Sequence, residues 1–308
     1  MQKPKSPCSM PQTRQPRRSH EHLLLEASAI RAISAQDAGS VGYMARVLLQ
    51  ATLPHSAQAG NEFVRTNGNL QVSIVAPSAI GLPYGSYPRL LLAWLTTEAV
   101  RTGEPLLCLG ESLSAFMAAL GLQSTGGQWG TIARLRDQAN RLFNAQVTAY
   151  ETHTVDAGER THGRNVTVAA EWDLWWTPAS HTGQASLFRS WVRLSDHFFQ
   201  QVTDRPVPLD LRAIKALKRS PLALDLYAWL TYRMSYLRTR TEIPWCGLRA
   251  QLGAGYAETT EGRRNFRKKF VVALRKVMAV YDGVRVNDGP RGPILLPSPV
   301  HVPTRRPR

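Results

Sequence analysis

Residues 92–95 read Leu-Ala-Trp-Leu and residues 227–230 read Tyr-Ala-Trp-Leu, so one short helical motif occurs twice in the chain. The same offset of 135 positions, from Trp94 to Trp229, places residues 106–113 (LLCLGESL) on residues 241–248 (TEIPWCGL). A repeat of this length exceeds the roughly 20–50 residues of solenoid repeats. It therefore predicts two related domains in tandem, with equivalent faces for one extended ligand.

The composition favours a polyanionic ligand. The 308 residues carry a formal charge of +16, and a basic excess of this size points to nucleic acid. No apolar run reaches the roughly 20 residues that span a membrane, and the N-terminus lacks an apolar signal region. Three scattered cysteines without a CxxC pair predict reduced thiols, with Cys108 and Cys246 buried. We expect a cytoplasmic protein without a membrane partner.

Each half of the chain predicts the same order of elements. Helix, strand, helix, helix and β-hairpin are expected at 87–101, 106–109, 111–120, 128–143 and 146–176, and again at 221–237, 242–244, 245–252, 261–281 and 284–296. This is the order of a winged helix, in which a helix-turn-helix is followed by a hairpin wing. The predicted fold class is α+β, mainly α, with two tandem winged-helix domains and a disordered basic N-terminal tail.

The predicted domain boundaries follow changes in composition. They are a disordered tail at 1–22, a helical extension at 23–69, a first winged-helix domain at 70–179, a linker at 180–189, a second winged-helix domain at 190–302 and a basic tail at 303–308. Within the extension, helices are expected at 22–33 and 41–49 and a turn at 61–69. A strand is expected at 70–75, directly after the extension.

The helix predicted at 261–281 carries the clearest binding signal. Phe266, Phe270, Leu274 and Val277 form an apolar stripe, whereas residues 263–280 hold seven bases and no acid. A merely solvated face usually mixes both signs of charge, so this face predicts contact with base edges and phosphates. The predicted DNA-binding residues here are Arg263, Arg264, Asn265, Arg267, Lys268, Lys269, Arg275 and Lys276.

The first unit offers a weaker version of this face. Its predicted helix at 128–143 begins after a glycine-rich turn, and we expect free backbone N–H groups there for a phosphate. A turn at 158–164 would form the wing tip. The predicted DNA-binding residues are Gln128, Thr131, Arg134, Gln138 and Arg141 on the helix, and Arg160 and Arg164 on the wing.

The chain carries no recognisable catalytic motif. It lacks a P-loop and paired carboxylates for Mg²⁺, and the His20-Glu21-His22 triplet lies in the predicted tail. We therefore expect no catalytic residue, no metal site and no cofactor, and a binding protein in place of an enzyme. The tryptophan cluster at 172, 175 and 176 favours packing over base stacking.

Several stretches are similar to the RepA family of plasmid replication initiators, the iteron-binding RepA C-terminal family. They are residues 82–102 (LPYGSYPRLLLAWLTTEAVRT), 109–117, 120–122, 134–144 (RLRDQANRLFN) and 220–231 (SPLALDLYAWLT). The resemblance covers roughly residues 70–298. It implies two winged-helix domains that bind repeated double-stranded DNA at a plasmid origin. It also implies recruitment of a host initiator and the replicative helicase, and regulation by dimerisation, for which the 106–109 strand edge is our candidate surface.

Three alternatives remain open at this level. A transcriptional repressor would use the same fold and the same DNA contacts. An origin-nicking endonuclease would need a metal and a tyrosine or carboxylate site that the sequence does not reveal. A protein that coats DNA without sequence preference would need only the positive charge.

Overall fold

The computed structural model describes residues 17–46, 49, 52–155, 158–176, 190–253 and 255–303. These residues form a mixed α/β fold. Its helices are α1 (Arg17–Ala32), α2 (Ser86–Thr102), α3 (Leu113–Ala119), α4 (Thr131–Asn144), α5 (Asp196–Asp204), α6 (Leu211–Leu217), α7 (Pro221–Tyr236), α8 (Trp245–Leu252) and α9 (Thr260–Val280). Its strands are β1 (Val41–Met44), β2 (Glu62–Asn67), β3 (Leu70–Val75), β4 (Leu106–Cys108), β5 (Gln146–Val155), β6 (Gly158–Thr167), β7 (Ala169–Asp173), β8 (Trp191–Leu194), β9 (Val207–Asp210), β10 (Thr241–Glu242), β11 (Arg285–Asn287) and β12 (Ile294–Leu296).

The internal repeat is present in the arrangement of elements as well as in the sequence. In the first unit, α2, β4, α3 and α4 precede β7 and β8, and the sheet order is β4-β8-β7. In the second unit, α7, β10, α8 and α9 precede β11 and β12, and the order is β10-β12-β11. In both units the short strand after the first helix pairs with the last strand. The helices predicted for the two units and the second hairpin are confirmed to within a few residues.

Local sequence signals explain where the main helices begin and end. The hydroxyl of Ser220 accepts a hydrogen bond from the N–H of Ala223 and Pro221 opens α7, so one free N–H is satisfied and one is absent. Thr259 caps α9 in the same way through the N–H of Gly262. At the end of α2, Gly103 adopts a left-handed conformation with φ 71° and its N–H bonds to the carbonyl of Ala99.

The hairpin after α4 is not the wing predicted for the first unit. β5 and β6 pair with each other, and β5 pairs with β3, which gives a separate four-stranded sheet in the order β2-β3-β5-β6. The predicted turn at 158–164 is part of strand β6, and the predicted turn at 61–69 holds strand β2. The pairing of β3 with β5 joins strands far apart in sequence, and local turn signals do not reveal it.

The N-terminal segment is built into the second half of the molecule. Residues 17–22, predicted to be disordered, belong to α1, which packs against α6 and α9. Residues 41–44, predicted to be helical, form β1 and pair with β9. At this contact Gly42 is required, because a Cβ atom there would lie 2.3 Å from the side chain of Leu211. The predicted tails at 1–16 and 304–308 and most of the predicted linker lie outside the described residues.

Two predictions about packing have opposite outcomes. Trp172 packs against Phe143 with ring centroids 5.5 Å apart, and Trp176 is partly buried against the core, which confirms packing for these two rings. The thiols of Cys108 and Cys246 are exposed, so the prediction of buried cysteines is wrong. Cys108 follows the buried Leu107 on a strand, where neighbouring side chains point to opposite faces.

A buried ion pair joins the first helices of the two units. The Arg89 guanidinium of α2 donates to both carboxylate oxygens of Asp225 in α7, at 2.6 and 2.7 Å, and His55 donates to the same carboxylate at 2.8 Å. Burial opposes the charged form of Asp225, but Arg89 and His55 outweigh burial, so the pKa of this carboxyl lies below its ordinary value. Burial also lowers the pKa of His55, which is therefore neutral at pH 7.

Candidate nucleic-acid interface

Helix α9 separates its apolar and basic residues onto opposite faces. Phe266, Phe270 and Val277 are buried, as the apolar stripe predicted. The predicted DNA-binding residues on this helix are exposed, except for Lys276, which is half-buried; they are Arg263, Arg264, Asn265, Arg267, Lys268, Lys269, Arg275 and Lys276. Among the described residues, none of the ion pairs includes one of these bases. The face is therefore a concentrated, uncompensated positive charge.

Aromatic packing holds this basic face in position. Trp245 at the start of α8 meets Phe270 edge to face at 5.4 Å, and Tyr256 meets Phe266 at 5.5 Å. Gly253 leaves room for this cluster, since a Cβ atom there would lie 2.8 Å from the Phe266 ring. The guanidinium of Arg267 lies over the Trp245 ring at 5.2 Å, which orients one of the exposed bases.

The two halves of α9 have different neighbours. Helix α1 packs against α9, and the Arg31 guanidinium donates to the carbonyl of Ala279 at the C-terminal end at 2.8 Å. The bases from 263 to 269 lie in the N-terminal half, where the side chains between the buried positions are exposed. The exposed half is therefore the half in which the bases concentrate.

The turn between β11 and β12 is anchored next to the helix pair. The backbone N–H of Arg291 donates to the Glu242 carboxylate at 2.7 Å, and this bond lowers the pKa of Glu242. Gly292 permits the close approach, because a Cβ atom there would lie 1.9 Å from the carbonyl oxygen of Ile243. The hairpin is thus fixed against β10 while its tip stays exposed.

Helix α4 presents fewer side chains that are free to contact DNA than the sequence predicts. Arg134 is exposed and without an ion pair in the described part of the chain, and Gln128 is exposed in the preceding turn. Arg141 is half-buried and pairs with Asp137 at 3.0 Å. Gln138 was predicted to face outward, but it is buried, and its carbonyl oxygen accepts the N–H of Tyr84 at 2.8 Å. Its position one turn from Leu142 places it on the inward face.

The start of α4 is braced internally. The Thr131 hydroxyl donates to the carbonyl of Gln123, and the N–H of Thr131 donates to the Thr125 hydroxyl at 2.9 Å. The N–H of Gly130 bonds to the Gly127 carbonyl at 3.1 Å. Two of the N–H groups predicted to be free for a phosphate are therefore already bonded within the turn.

A cleft of about 1370 Å³ runs between the start of α4 and the α6–α7 region. On one side stands Trp129, 78% exposed, next to Arg134. On the other side lie Lys215 and Arg219, neither of which takes part in an ion pair among the described residues. Sequence reasoning missed these two bases, since only the packing of the second unit against the first brings them opposite α4.

Arg160 and Arg164 lie apart from the sheets of the two repeated units. Both are exposed on β6, the outer strand of the four-stranded sheet. Arg164 bonds to His162 at 3.2 Å and lines a second pocket, of about 530 Å³, between this sheet and α5. Residues 158–164 form a strand in place of the predicted turn, and this hairpin lies outside the sheet that contains β4. Contact of Arg160 and Arg164 with DNA stays a prediction.

The sequence profile of the family described as plasmid encoded RepA protein matches residues 82–245, more than half of the chain. The chain belongs to this RepA family. The match runs from the segment before α2 to the first residue of α8, so it includes the first unit, the Arg89–Asp225 pair and the helix α7. Helix α9 lies beyond the matched residues.

Two solved structures of RctB domains are similar to this RepA-family chain. A crystal structure of selenomethionine derivatives of domains 2 and 3 of RctB has a TM-score of 0.51 at 14% identity, covering 82% of this chain and 96% of that one. A second crystal structure of RctB domains 2–3 has a TM-score of 0.50 at 14% identity, with 80% and 94% covered. At this identity the likeness shows the fold alone. No curated protein matches the chain significantly.

Across the described residues, no three His, Cys, Asp or Glu side chains are grouped so that they could hold a metal ion. None of the helices described for this RepA-family chain is long and apolar enough to cross a membrane.

Proposed function

We propose that this RepA-family chain is a plasmid replication initiator that binds repeated double-stranded DNA, the iterons, at the plasmid origin. The exposed basic half of α9 carries the proposal, because five bases without an acidic partner among the described residues suit a groove lined by phosphates. The family points to the same role. The proposed place of action is the bacterial cytoplasm, together with the plasmid.

The arrangement of each unit supports a winged-helix mode of binding. In this mode the third helix of the unit enters the major groove and the hairpin contacts the backbone beside it. The sheet orders β4-β8-β7 and β10-β12-β11 place a hairpin after the helices in both units. We assign α9 the base contacts and α4, with Arg134, Lys215 and Arg219 around its cleft, contacts to the phosphates.

A gel-shift titration near physiological salt tests specific binding. It compares the repeated origin segment of the parent plasmid with a shuffled duplex of equal length. We expect a preference of roughly 10³-fold or more. Equal affinities that fall steeply with salt would mean that the net charge acts alone and would refute the initiator proposal.

Single substitutions locate the contact on α9. Arg264→Ala and Lys268→Ala should each weaken origin binding by about 1–3 kcal/mol if the side chains contact bases. Arg101→Ala removes an equally exposed base from the end of α2 and serves as the control, for which we expect little change. Unchanged affinity in both α9 variants would exclude this helix from the interface.

The proposal includes no catalytic step in this chain. Strand separation would follow from DNA bending and from the host initiator and replicative helicase, which the family implies as partners. Incubating the protein with supercoiled origin DNA and Mg²⁺ should leave the DNA supercoiled. A nicked or relaxed product would show an endonuclease activity and refute this part of the proposal.

We also propose a homodimer through the open edge of β4. This strand pairs with β8 on one side only, and Leu106 is 45% exposed beside the exposed Cys108. Unpaired edge strands are natural surfaces for pairing with another chain. In antiparallel pairing across a two-fold axis the two Cys108 thiols would approach each other. Mild oxidation should therefore give a covalent dimer. Cys108→Ser should abolish this dimer, and Cys246→Ser should not. A covalent dimer that still forms in Cys108→Ser would move the interface elsewhere.

A further inference from the structure

Strand β2 buries a guanidinium that has no acceptor. Arg65 is 2% exposed, and none of its three side-chain nitrogens has a hydrogen-bond partner within the described structure. The guanidinium lies over the Phe63 ring, 4.5 Å from its centroid. A cation–π contact offsets only part of the free energy needed to remove a charge from water.

The surrounding charges leave Arg65 uncompensated. Asp225 is the nearby carboxylate that favours its charged form, but that carboxylate already accepts hydrogen bonds from Arg89 and His55. Arg89 also donates to the carbonyls of Leu53, Pro54 and Gly85 and is fully satisfied. With His55 neutral, two guanidinium groups share one carboxylate. Burial lowers the pKa of Arg65 to about 9, so it is still charged at pH 7.

Because of the position of β2, the uncompensated charge of Arg65 destabilises only a small part of the fold. β2 is an outer strand of the four-stranded sheet, paired with β3 on one side and packed against α8 of the second unit. If β2 leaves β3 and α8, water reaches Arg65 while the Arg89–Asp225 pair between the helices stays intact. Closing β2 therefore requires the free energy of removing the Arg65 charge from water, and opening β2 returns it.

We propose that β2 is a flap, which the uncompensated charge of Arg65 keeps close to opening while the rest of both units stays folded. The segment before β2 extends the cover over the helix pair: the Thr52 hydroxyl donates to the carbonyl of Gln251 at 3.3 Å. Opening of the flap would uncover α8 and loosen the support of the α8–α9 pair. This inference does not depend on DNA binding.

Hydrogen–deuterium exchange of the full chain without DNA tests the flap. In the wild type, the amides of residues 62–67 should exchange faster than those of the β3–β5 ladder. Arg65→Met keeps the length of the side chain but removes the charge, and it should slow exchange at 62–67 by about tenfold or more. Arg65→Lys keeps a buried charge and should remain as fast as the wild type.

Arg160→Met provides the matched control. It removes the same charge from β6, the opposite outer strand of the same sheet, where the side chain is exposed. It should leave exchange at 62–67 unchanged. Exchange that is equally fast or faster in Arg65→Met would overturn the proposal. Failure of Arg65→Met to fold would overturn it as well, because the proposal requires that removing the charge stabilises the closed strand.

Discussion

Asp225→Asn is the most direct test of the joint between the two units. The substitution keeps the shape of the side chain but removes the charge that three hydrogen bonds of 2.6–2.8 Å use. The NH₂ group of the introduced amide would also replace an oxygen that accepts hydrogen bonds, so it would lie against an N–H donor of Arg89 or His55. Both side chains of the ion pair are less than a tenth exposed, so solvent screening is weak. Breaking a buried pair costs about 3–5 kcal/mol, and we expect about 3, since Arg89 keeps its three carbonyl acceptors.

Urea unfolding followed by tryptophan fluorescence measures this loss. Glu98→Gln is the control, because it removes the charge from the Arg101–Glu98 pair, in which the arginine is exposed and solvent screening leaves little stabilisation. The double variant Arg89→Met, Asp225→Leu removes both charges of this pair and should recover part of the stability that Asp225→Asn loses, since the three carbonyls that Arg89 bonds then lack their donor. A loss in Asp225→Asn no larger than in Glu98→Gln would refute the reasoning.

Three other predictions concern pH, packing and the cleft. As pH falls below about 6.5, the unfolded chain takes up protons on His55 and His301, because burial lowers the pKa of both groups in the folded protein. The free energy of unfolding should therefore decrease. His55→Gln should show a shallower decrease, and an unchanged slope would contradict a contribution of His55. Gly262→Ala should destabilise the protein by more than about 2 kcal/mol, because its Cβ atom would lie 2.1 Å from the Ala257 carbonyl oxygen. Gly247→Ala meets open space within a helix and should stabilise by about 0.5–1 kcal/mol in the same unfolding assay; similar effects of the two substitutions would rule out the steric explanation. Lys215→Ala should weaken binding to origin and shuffled duplex alike and lower the salt slope by about 1 in gel-shift titrations, whereas an unchanged slope would place Lys215 away from the phosphates.

The elements that the sequence predicted well are those with a complete local signal. α8 was predicted at its observed bounds, and α7 begins at Pro221 as expected, because caps and helical spacing lie within a few residues of each other. The hairpin of the second unit was also found, since its two strands flank one short polar turn. The buried stripe and the exposed bases of α9 follow from helical periodicity in the same way.

The elements that the sequence does not predict depend on contacts outside their own segment. Residues 61–69 are polar and suggest one turn, yet residues 62–67 form β2, which pairs with the adjacent β3 across Gly68 and Asn69 and packs against α8. The hairpin after α4 looks like a wing in the sequence, but β4 takes β8, some 80 residues further along, as its partner. Local patterns show that a strand forms and cannot show which strand pairs with it.

The same limit applies to the candidate interface. The exposure of Arg264 and Lys268 could be predicted from one helix alone. Lys215 and Arg219 enter the cleft only through the packing of the two units, and Gln138 turns inward to bond with Tyr84, a contact between distant segments. Contact of any of these residues with DNA stays a prediction.

The pairing of Val41 with Asp210 also determines when β1 can pack during translation. A ribosome that adds about 5–20 residues per second needs roughly 10–30 s to make the chain between these two strands. During that interval β1 and the apolar face of α1 have been synthesised, but β9, α6 and α9 have not. Helix α1 and β1 can therefore pack only after β9, α6 and α9 have been made, and until then the nascent chain exposes the apolar face of α1 to chaperones and proteases.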